Sequence, residues 1–230
     1  MKIAVIIYGP PGSGKGTQAN LTAHEFGLIH FDTGRYWESL VHDPKNAGDP
    51  TIEEAKKMFD AGILITPELT LKIVREWVER IGNINQGVVM SGSPRTLYEA
   101  EGLMPVMEKI FGKENIFPII LNVKPETSIL RNSSRIICDL CGNAILKTLL
   151  PKGIDMPFCP ICGSSFRKRT LDKPEIIEVR LKEYKERTVP IFEYLRNRGV
   201  RVHKIDGELP PNEVFKQISK AITTFSDVIS

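Results

Sequence analysis

A glycine-rich loop near the start of the chain carries the residues best suited to chemistry. Residues 9–17 read Gly-Pro-Pro-Gly-Ser-Gly-Lys-Gly-Thr, and they lie between a short apolar run and a helical stretch. Glycines let main-chain N–H groups approach an oxyanion, the helix start adds the positive end of its dipole, and Lys15 adds a point charge. The motif therefore predicts a phosphate-binding loop. Its candidate ligand-binding residues are Gly12, Ser13, Gly14, Lys15, Gly16 and Thr17.

Arginines from distant parts of the chain could add positive charge around a phosphate. The candidates are Arg95, Arg131, Arg135, Arg169 and Arg180. A planar guanidinium binds two phosphate oxygens at once, and phosphoryl transfer needs cations around the moving group. The spacing of Arg131 and Arg135 predicts that they share one helix face. Together with Lys15, these arginines are the candidate catalytic residues.

Four cysteines form two pairs with metal-ligand spacing. The pairs are Cys138 with Cys141 and Cys159 with Cys162, and each is followed by a glycine that permits a tight turn. In a reducing compartment this pattern favours a metal over disulfides. Four thiolates that leave no open position predict a structural zinc site.

Composition excludes several classes of protein. The chain has 230 residues, of which 41% are hydrophobic and 26% charged, so a disordered or fibrous protein is excluded. Its net charge of +3 gives no argument for nucleic-acid binding. No apolar run is long enough to cross a membrane, and Ile3–Tyr8 is too short for the core of a signal peptide. We therefore expect a cytoplasmic protein with neither nucleic acid nor membrane as a partner. We also expect a monomer, although composition does not determine the oligomeric state.

An alternation of strands and helices must position these groups. Short apolar runs predict buried strands at 3–8, 28–31, 88–90, 116–123 and 200–205. Amphipathic stretches predict helices at 15–26, 51–60, 67–81, 96–111, 125–135, 174–198 and 211–225. This order indicates an α/β fold with a parallel sheet that is covered by helices on both faces. Residues 34–85 and 136–173 break the alternation and are interpreted as insertions.

The loop motif from Gly9 to Gln18 resembles that of adenylate kinases and related nucleoside monophosphate kinases, including its Gly16-Thr17 ending. Further similarity lies in Thr33-Gly34 and in residues 60–69, 92–96 and 204–207. The resemblance implies a P-loop NTPase-like core with a five-stranded parallel sheet, formed by residues 1–33, 86–135 and 174–230. It also implies a helical insertion for the monophosphate at 34–85 and a zinc-bearing lid at 136–173.

The same resemblance implies a phosphotransferase of nucleotide biosynthesis that converts Mg-ATP and AMP to two ADP. ATP would then lie on the phosphate-binding loop with Arg131 and Arg135, and Mg²⁺ would accompany it. The acceptor nucleotide would contact Thr33, Arg35, Ile63, Leu64, Ile65, Gly92, Arg95, Glu99, Arg169 and Arg180. Structural Zn²⁺ would be held by Cys138, Cys141, Cys159 and Cys162.

Several positions depart from the family pattern. Ser91 stands where the family has an Asp that holds magnesium through water, and Arg35 replaces a second Asp. Asp32 is a possible substitute for the missing carboxylate. Glu38 replaces a phosphate-binding Arg, whose role Arg35 could assume. The Asp-Asp pair at the lid exit is reduced to Leu171-Asp172.

Glu99 occupies the position of a Gln that reads adenine in the family. A carboxylate only accepts hydrogen bonds, so it suits the two adjacent donors of guanine better than the edge of adenine. Alternatively, Glu99 could point to solvent. Two other functions remain open. Glu38 and Glu99 suggest a kinase for another base or a dephospho-substrate, and Ser91 and Arg35 suggest a nucleotide-binding regulator with weakened catalysis.

Overall fold

The computed structural model describes residues 2–151 and 153–226. Within these residues the strands are β1 (Ala4–Tyr8), β2 (Ile29–Asp32), β3 (Val88–Ser91), β4 (Ile116–Asn122), β5 (Arg135–Cys138), β6 (Ala144–Leu146), β7 (Phe166–Arg167) and β8 (His203–Asp206). The α-helices are α1 (Lys15–Phe26), α2 (Thr33–Val41), α3 (Pro50–Asp60), α4 (Pro67–Asn83), α5 (Leu97–Phe111), α6 (Pro125–Ser133), α7 (Pro174–Glu183), α8 (Pro190–Asn197) and α9 (Pro211–Ser226). No helix in the described part of the chain is both long and apolar enough to span a bilayer.

The central element is a five-stranded parallel sheet with the order β2-β3-β1-β4-β8 among the described residues. Successive side chains of β1 point to opposite faces, because a strand has a period of two. Ala4 and Ile6 join the apolar cluster formed with α4, α5 and α8. Val5 and Ile7 join the cluster formed with α1 and α9. Burial on both faces confirms the predicted class of fold and explains why these strands are continuously apolar.

The order of the strands places the loop after β1 at a crevice. Within the sheet, β2 and β3 lie on one flank of β1, and β4 and β8 lie on the other, so the direction of the connections reverses at β1. In open parallel sheets, ligands bind outside the carboxyl ends of the strands at such a point. In the register of β2 and β3, Asp32 lies opposite Ser91 at this same edge.

Two segments extend from the sheet. Helices α2, α3 and α4 connect β2 to β3 along the chain. This connection has a small hydrophobic core of its own, formed by Trp37, Val41, Ala55 and Ile65. Strands β5, β6 and β7 form a small antiparallel sheet in the order β6-β5-β7. The sequence analysis did not predict this second sheet, because strands of two to four residues leave little apolar pattern.

Two predicted helices were wrong in their extent. The helix expected over 174–198 is divided into α7, a π-helical turn at Tyr184–Thr188 and α8. Pro190 has no N–H to continue an α-helix, and the wider turn is closed by Val189 N donating to Tyr184 O at 3.1 Å. The helix expected to reach residue 135 ends at Ser133, and Arg135 begins β5. Arg131 and Arg135 therefore do not share a helix face.

Candidate active site

The phosphate-binding loop is held in shape by buried polar contacts from α6. Gly12 has φ of 74°, and a Cβ at this position would lie 2.6 Å from Asn132 Nδ2. Ser128 Oγ donates to Pro11 O, and Asn132 Nδ2 donates to Ser128 O at 2.7 Å. The sequence analysis missed the roles of Ser128 and Asn132. The available sequence signal was two small polar residues four apart, which share one face of a helix that follows a core strand. The structure shows that both side chains are fully buried.

Lys15 lies inside the curve of the loop. Its Nζ donates to Gly9 O at 2.7 Å and to Pro10 O at 2.8 Å. Burial lowers the pKa of Lys15 well below its ordinary value, and the charges of Arg95 and Arg180 lower it further. A cation in this position would gain strongly from an anion placed over the loop.

Arginines from separate elements cluster around Lys15: the charges of Arg95, Arg180 and Arg135 act on Lys15 itself, and that of Arg169 acts on Arg95 and Arg180. They are Arg95 after β3, Arg135 at the start of β5, Arg169 before α7 and Arg180 within α7. Burial lowers the pKa of Arg180 to about 9, and the charges of Arg169, Arg135 and Arg95 contribute to this shift. Burial also lowers the pKa of Arg95 and of Arg169. These mutually repelling cations form a site for a highly charged anion.

Asp172 is the carboxylate that balances two of these cations. Its Oδ2 accepts from Arg135 Nε at 2.9 Å, and its Oδ1 accepts from Arg135 Nη2. Arg180 Nη1 lies 3.8 Å from the same Oδ1, and the Asp172 side chain is only 4% exposed. The carboxylate retained at the lid exit therefore fixes the relative position of two guanidinium groups.

Arg131 lies apart from this group. Its guanidinium donates to Gly207 O at 2.8 Å and to Glu208 O at 3.5 Å, in the turn that follows β8. Glu208 in turn accepts from Lys124 N and from Thr127 Oγ1. The predicted role of Arg131 in binding ATP phosphates stays a prediction.

Asp32 lies close to the loop, whereas Ser91 is engaged elsewhere. Asp32 Oδ1 accepts from Arg35 N at 3.1 Å, and a Cβ placed on Gly16 would lie 3.9 Å from Asp32 Oδ2. The Asp32 charge also acts on Lys15, raising its pKa in partial opposition to burial. Ser91 Oγ lies 2.8 Å from His30 Nε2, and His30 Nδ1 lies 2.7 Å from Asn20 Oδ1. At the edge of the sheet beside the phosphate-binding loop, β2 therefore ends in a carboxylate, that of Asp32, whereas β3 ends in the hydroxyl of Ser91.

Glu38 and Arg35 of α2 both contact the second sheet and its flanking loops. Glu38 Oε2 accepts from Arg169 Nη2 at 2.7 Å, and its Oε1 accepts from Arg167 Nη2 at 3.3 Å. Arg35 Nη2 donates to Gly142 O at 2.9 Å, and the Arg35 side chain is 54% exposed. The sequence indicated that these two positions had changed charge, but not that they meet the lid. The expectation that Arg35 binds the acceptor phosphate stays a prediction.

A cavity beside Arg95 gathers most of the residues expected to bind the acceptor. It is lined by Thr33, Gly34, Trp37, Phe59, Ile63, Leu64, Ile65, Thr70, Gly92, Arg95 and Glu99. Aromatic side chains of α2 and α3 and aliphatic side chains of the loop between α3 and α4 form its walls, while Arg95 and Glu99 supply polar groups. Of the predicted residues, Arg35, Arg169 and Arg180 lie outside this lining.

Glu99 does not point to solvent, because it is only 3% exposed. It caps its own helix: Oε2 accepts from Arg95 N at 3.0 Å, and Oε1 accepts from Thr96 Oγ1 at 3.0 Å. Burial raises the pKa of Glu99, and these hydrogen bonds act in the opposite direction. The alternative of an exposed Glu99 was therefore wrong.

The four cysteines lie together in the segment around β5 to β7. Their sulfur atoms are all within 4.8 Å of one another, close to the roughly 4 Å separation expected around tetrahedral zinc. Two matching turns present them: Gly142 N donates to Cys138 O, and Gly163 N donates to Cys159 O. Burial raises the pKa of the Cys138 thiol, but hydrogen bonds from the Cys141 and Leu140 amides and from Cys162 lower it to about 6. This donor set fits a structural Zn²⁺ ion.

The fold and this arrangement of cations define a P-loop nucleotide-binding protein of the phosphotransferase type. The family model of adenylate kinase matches residues 7–200. The chain is 32% identical to the adenylate kinase of Petrotoga mobilis over 223 residues, which cover 96% of this chain and 98% of the relative. It is 35% identical to that of Caldanaerobacter subterraneus over 219 residues, 95% of each chain. Identity to that of Methanothrix thermoacetophila is 32% over 221 residues, 96% of this chain and 99% of the relative.

The chain therefore belongs to the adenylate kinase family, and it is a nucleoside monophosphate kinase. Its four-cysteine cluster supports the expected zinc-lid type within that family.

Proposed function

We propose that this protein transfers the terminal phosphoryl group of ATP to AMP, forming two molecules of ADP. The observation that carries the proposal is one cluster of buried cations, in which Arg95, Arg135 and Arg180 act on Lys15 and Arg169 acts on Arg180. These cations come from the phosphate-binding loop, the segment after β3, the start of β5 and the region of α7, and Arg95 also lines the acceptor cavity. A loose phosphoryl-transfer transition state spreads negative charge over the moving group, and such a cage stabilises that charge.

The two nucleotides would meet tail to tail within this cage. ATP phosphates would accept hydrogen bonds from the main chain of the loop and from Lys15, which would leave the carbonyl oxygens of Gly9 and Pro10. Arg95 would orient the acceptor phosphate, because it lines the acceptor cavity and also faces Lys15. Arg169 Nε is buried without a partner among the described residues, as expected of a donor that awaits an anion.

No side-chain base is required, since the attacking oxygen of the acceptor is already part of an anionic phosphate. The residues must instead exclude water, which would otherwise accept the phosphoryl group. We assign this role to the segment 136–173, which contacts α2 through Glu38 and Arg35. In the same proposal, residues 34–85 hold the acceptor, and the remaining segments 1–33, 86–135 and 174–230 form the core.

Magnesium bound to ATP would neutralise phosphate charge during the transfer. Asp32 fits the role of its carboxylate partner, because it is placed beside Gly16 and acts electrostatically on Lys15. Ser91 is a poor candidate, since a hydroxyl lacks charge and its oxygen lies within hydrogen-bonding distance of His30. We further propose that the protein acts as a cytoplasmic monomer.

The proposed activity is tested by a coupled assay of ADP formation from ATP and AMP with purified protein. We expect turnover that depends on both nucleotides and on Mg²⁺. Tight ATP binding without any ADP formation would instead identify a nucleotide-binding regulator, the alternative suggested by Ser91 and Arg35.

The role of Asp32 is tested by Asp32→Asn, which keeps the helix cap because Asn caps as well as Asp. We expect the affinity of Mn²⁺ for the ATP-bound protein, measured by electron paramagnetic resonance, to fall about tenfold. Asp49→Asn is the matched control, since Asp49 caps α3 through Thr51 N at 2.8 Å. Equal Mn²⁺ affinity in both variants would exclude Asp32 as the partner.

A further inference from the structure

Arg95 lies in a short segment that has no regular secondary structure. The segment runs from the end of β3 to the start of α5, so neither a sheet nor a helix fixes its main chain. In the proposed reaction Arg95 orients the acceptor phosphate, and a displacement of about 1 Å in such a group can cost roughly 100-fold in rate. Contacts with other parts of the chain must therefore hold Arg95 in place.

Both main-chain polar groups of Arg95 are hydrogen-bonded to buried side chains. Arg95 N donates to Glu99 Oε2 at 3.0 Å. Arg95 O accepts from Thr188 Oγ1 at 2.8 Å, and Thr188 lies 93 residues further along the chain. Glu99 is 3% exposed and Thr188 is 5% exposed, so water competes little for these bonds. The two side chains supply the bonds that a helix or a strand would otherwise give to this residue.

The Thr188 hydroxyl reaches Arg95 from the π-helical turn at Tyr184–Thr188. A π turn closes its hydrogen bond over five residues, so the residues that follow it are rotated relative to a continuous α-helix. Such turns are rare and occur frequently at functional sites. Here the turn ends with a buried hydroxyl placed against the main chain of Arg95.

The Arg95 guanidinium lies close to the main chain at two glycines. A Cβ on Gly92 would lie 2.7 Å from Arg95 Nη2, and a Cβ on Gly34 would lie 3.4 Å from the same atom. Arg135 and Arg169 are held by carboxylates, whereas no ion pair is seen for Arg95 among the described residues. The position of this guanidinium therefore depends on the main chain that carries it.

We propose that Thr188 is a positioning residue for Arg95. Its hydroxyl and the Glu99 carboxylate together clamp the main chain from which the guanidinium extends toward the acceptor phosphate. This inference rests on the proposed function, because the clamp affects catalysis only if Arg95 binds that phosphate.

The clamp is tested first without nucleotide, by measuring the NMR order parameter of the Arg95 Nε–H bond. Thr188→Val keeps the shape of the side chain but removes the donor, so we expect the order parameter to fall by roughly 0.2. Thr188→Ser keeps a hydroxyl and should restore the value. Thr22→Val is the matched control, because Thr22 is fully buried and its hydroxyl has no partner among the described residues. An unchanged order parameter in Thr188→Val would overturn the proposal.

The effect on catalysis is measured in the coupled assay with ATP and AMP. In Thr188→Val we expect kcat/KM for AMP to fall about 10-fold while KM for ATP stays unchanged, because only the acceptor phosphate loses an aligned donor. Thr188→Ser should recover most of the loss. In an Arg95→Met background, Thr188→Val should cause no further loss, because effects that act through one residue are not additive. A full additive loss would show that Thr188 does not act through Arg95.

Failure of the clamp and failure of the proposed function give different results. A wild-type protein that forms no ADP would refute the proposed function, and the order parameter of Arg95 would still decide the clamp. Normal wild-type turnover with equal kcat/KM for AMP in Thr188→Val and Thr22→Val would overturn the clamp alone.

Discussion

Asp172 is expected to be the counter-ion that allows the free protein to hold its cations together. Replacing Asp172 with Asn keeps the shape of the side chain but removes one negative charge between Arg135 and Arg180. The side chains of these two arginines are 18% and 19% exposed, so solvent screens the loss only weakly.

The size of the effect follows from this burial. A hydrogen bond to a charged group contributes about 1.5–3 kcal/mol, and removing one partner of a buried ion pair costs about 3–5 kcal/mol. Since Asn keeps one acceptor oxygen for Arg135, we expect Asp172→Asn to lower the free energy of unfolding by about 2–4 kcal/mol. Urea denaturation in low-salt buffer without phosphate or nucleotide would measure this difference.

Bound ATP should reduce the loss of stability that Asp172→Asn causes. ATP bound among the same arginines supplies negative charge where the carboxylate is missing, so the difference between variant and wild type should shrink at saturating ATP. Asp139→Asn is the control, because Asp139 lies 3.4 Å from Arg167 in an exposed pair, for which the expected loss is below about 1 kcal/mol. Equal stabilities of the two variants, or a loss that ATP does not change, would refute this account of Asp172.

Three further outcomes are expected. Lys15→Met should lower kcat about 100-fold or more in the coupled assay while circular dichroism shows an unchanged fold, because one preorganised cation is lost from the transition state; a smaller effect would contradict the role of Lys15. Chelation of zinc, or Cys159→Ser, should abolish hydrogen-exchange protection in segment 136–173 but not in the central sheet, since few apolar side chains are buried among the described residues of that segment. Full protection without metal would exclude a structural zinc site. Glu38→Gln should speed exchange near Arg169 about fivefold, as expected for losing roughly 1 kcal/mol of ion pairing between α2 and the lid; unchanged exchange would mean that this contact does not hold the lid.

The sequence alone was sufficient for the central sheet and the two motifs. Runs such as Val88–Met90 are apolar because they are buried on both faces, and that requirement is visible residue by residue. The phosphate-binding loop at residues 9–17 and the metal-ligand spacing of the paired cysteines could be recognised equally well from the sequence. Their function depends on residue types within a few positions of one another, and local spacing preserves that information.

The tertiary structure decided which side chains meet. Arg131 and Arg135 are four residues apart, yet one contacts the turn after β8 and the other pairs with Asp172, because the helix ends between them. Glu38 was recognised as a change of charge, but its partners lie about 130 residues away in the lid. Glu99 could have faced solvent or the cavity, and only packing of α5 against the sheet placed it inside. A local pattern fixes the path of the backbone over a few residues, whereas the partner of a charged side chain is set by how distant segments pack.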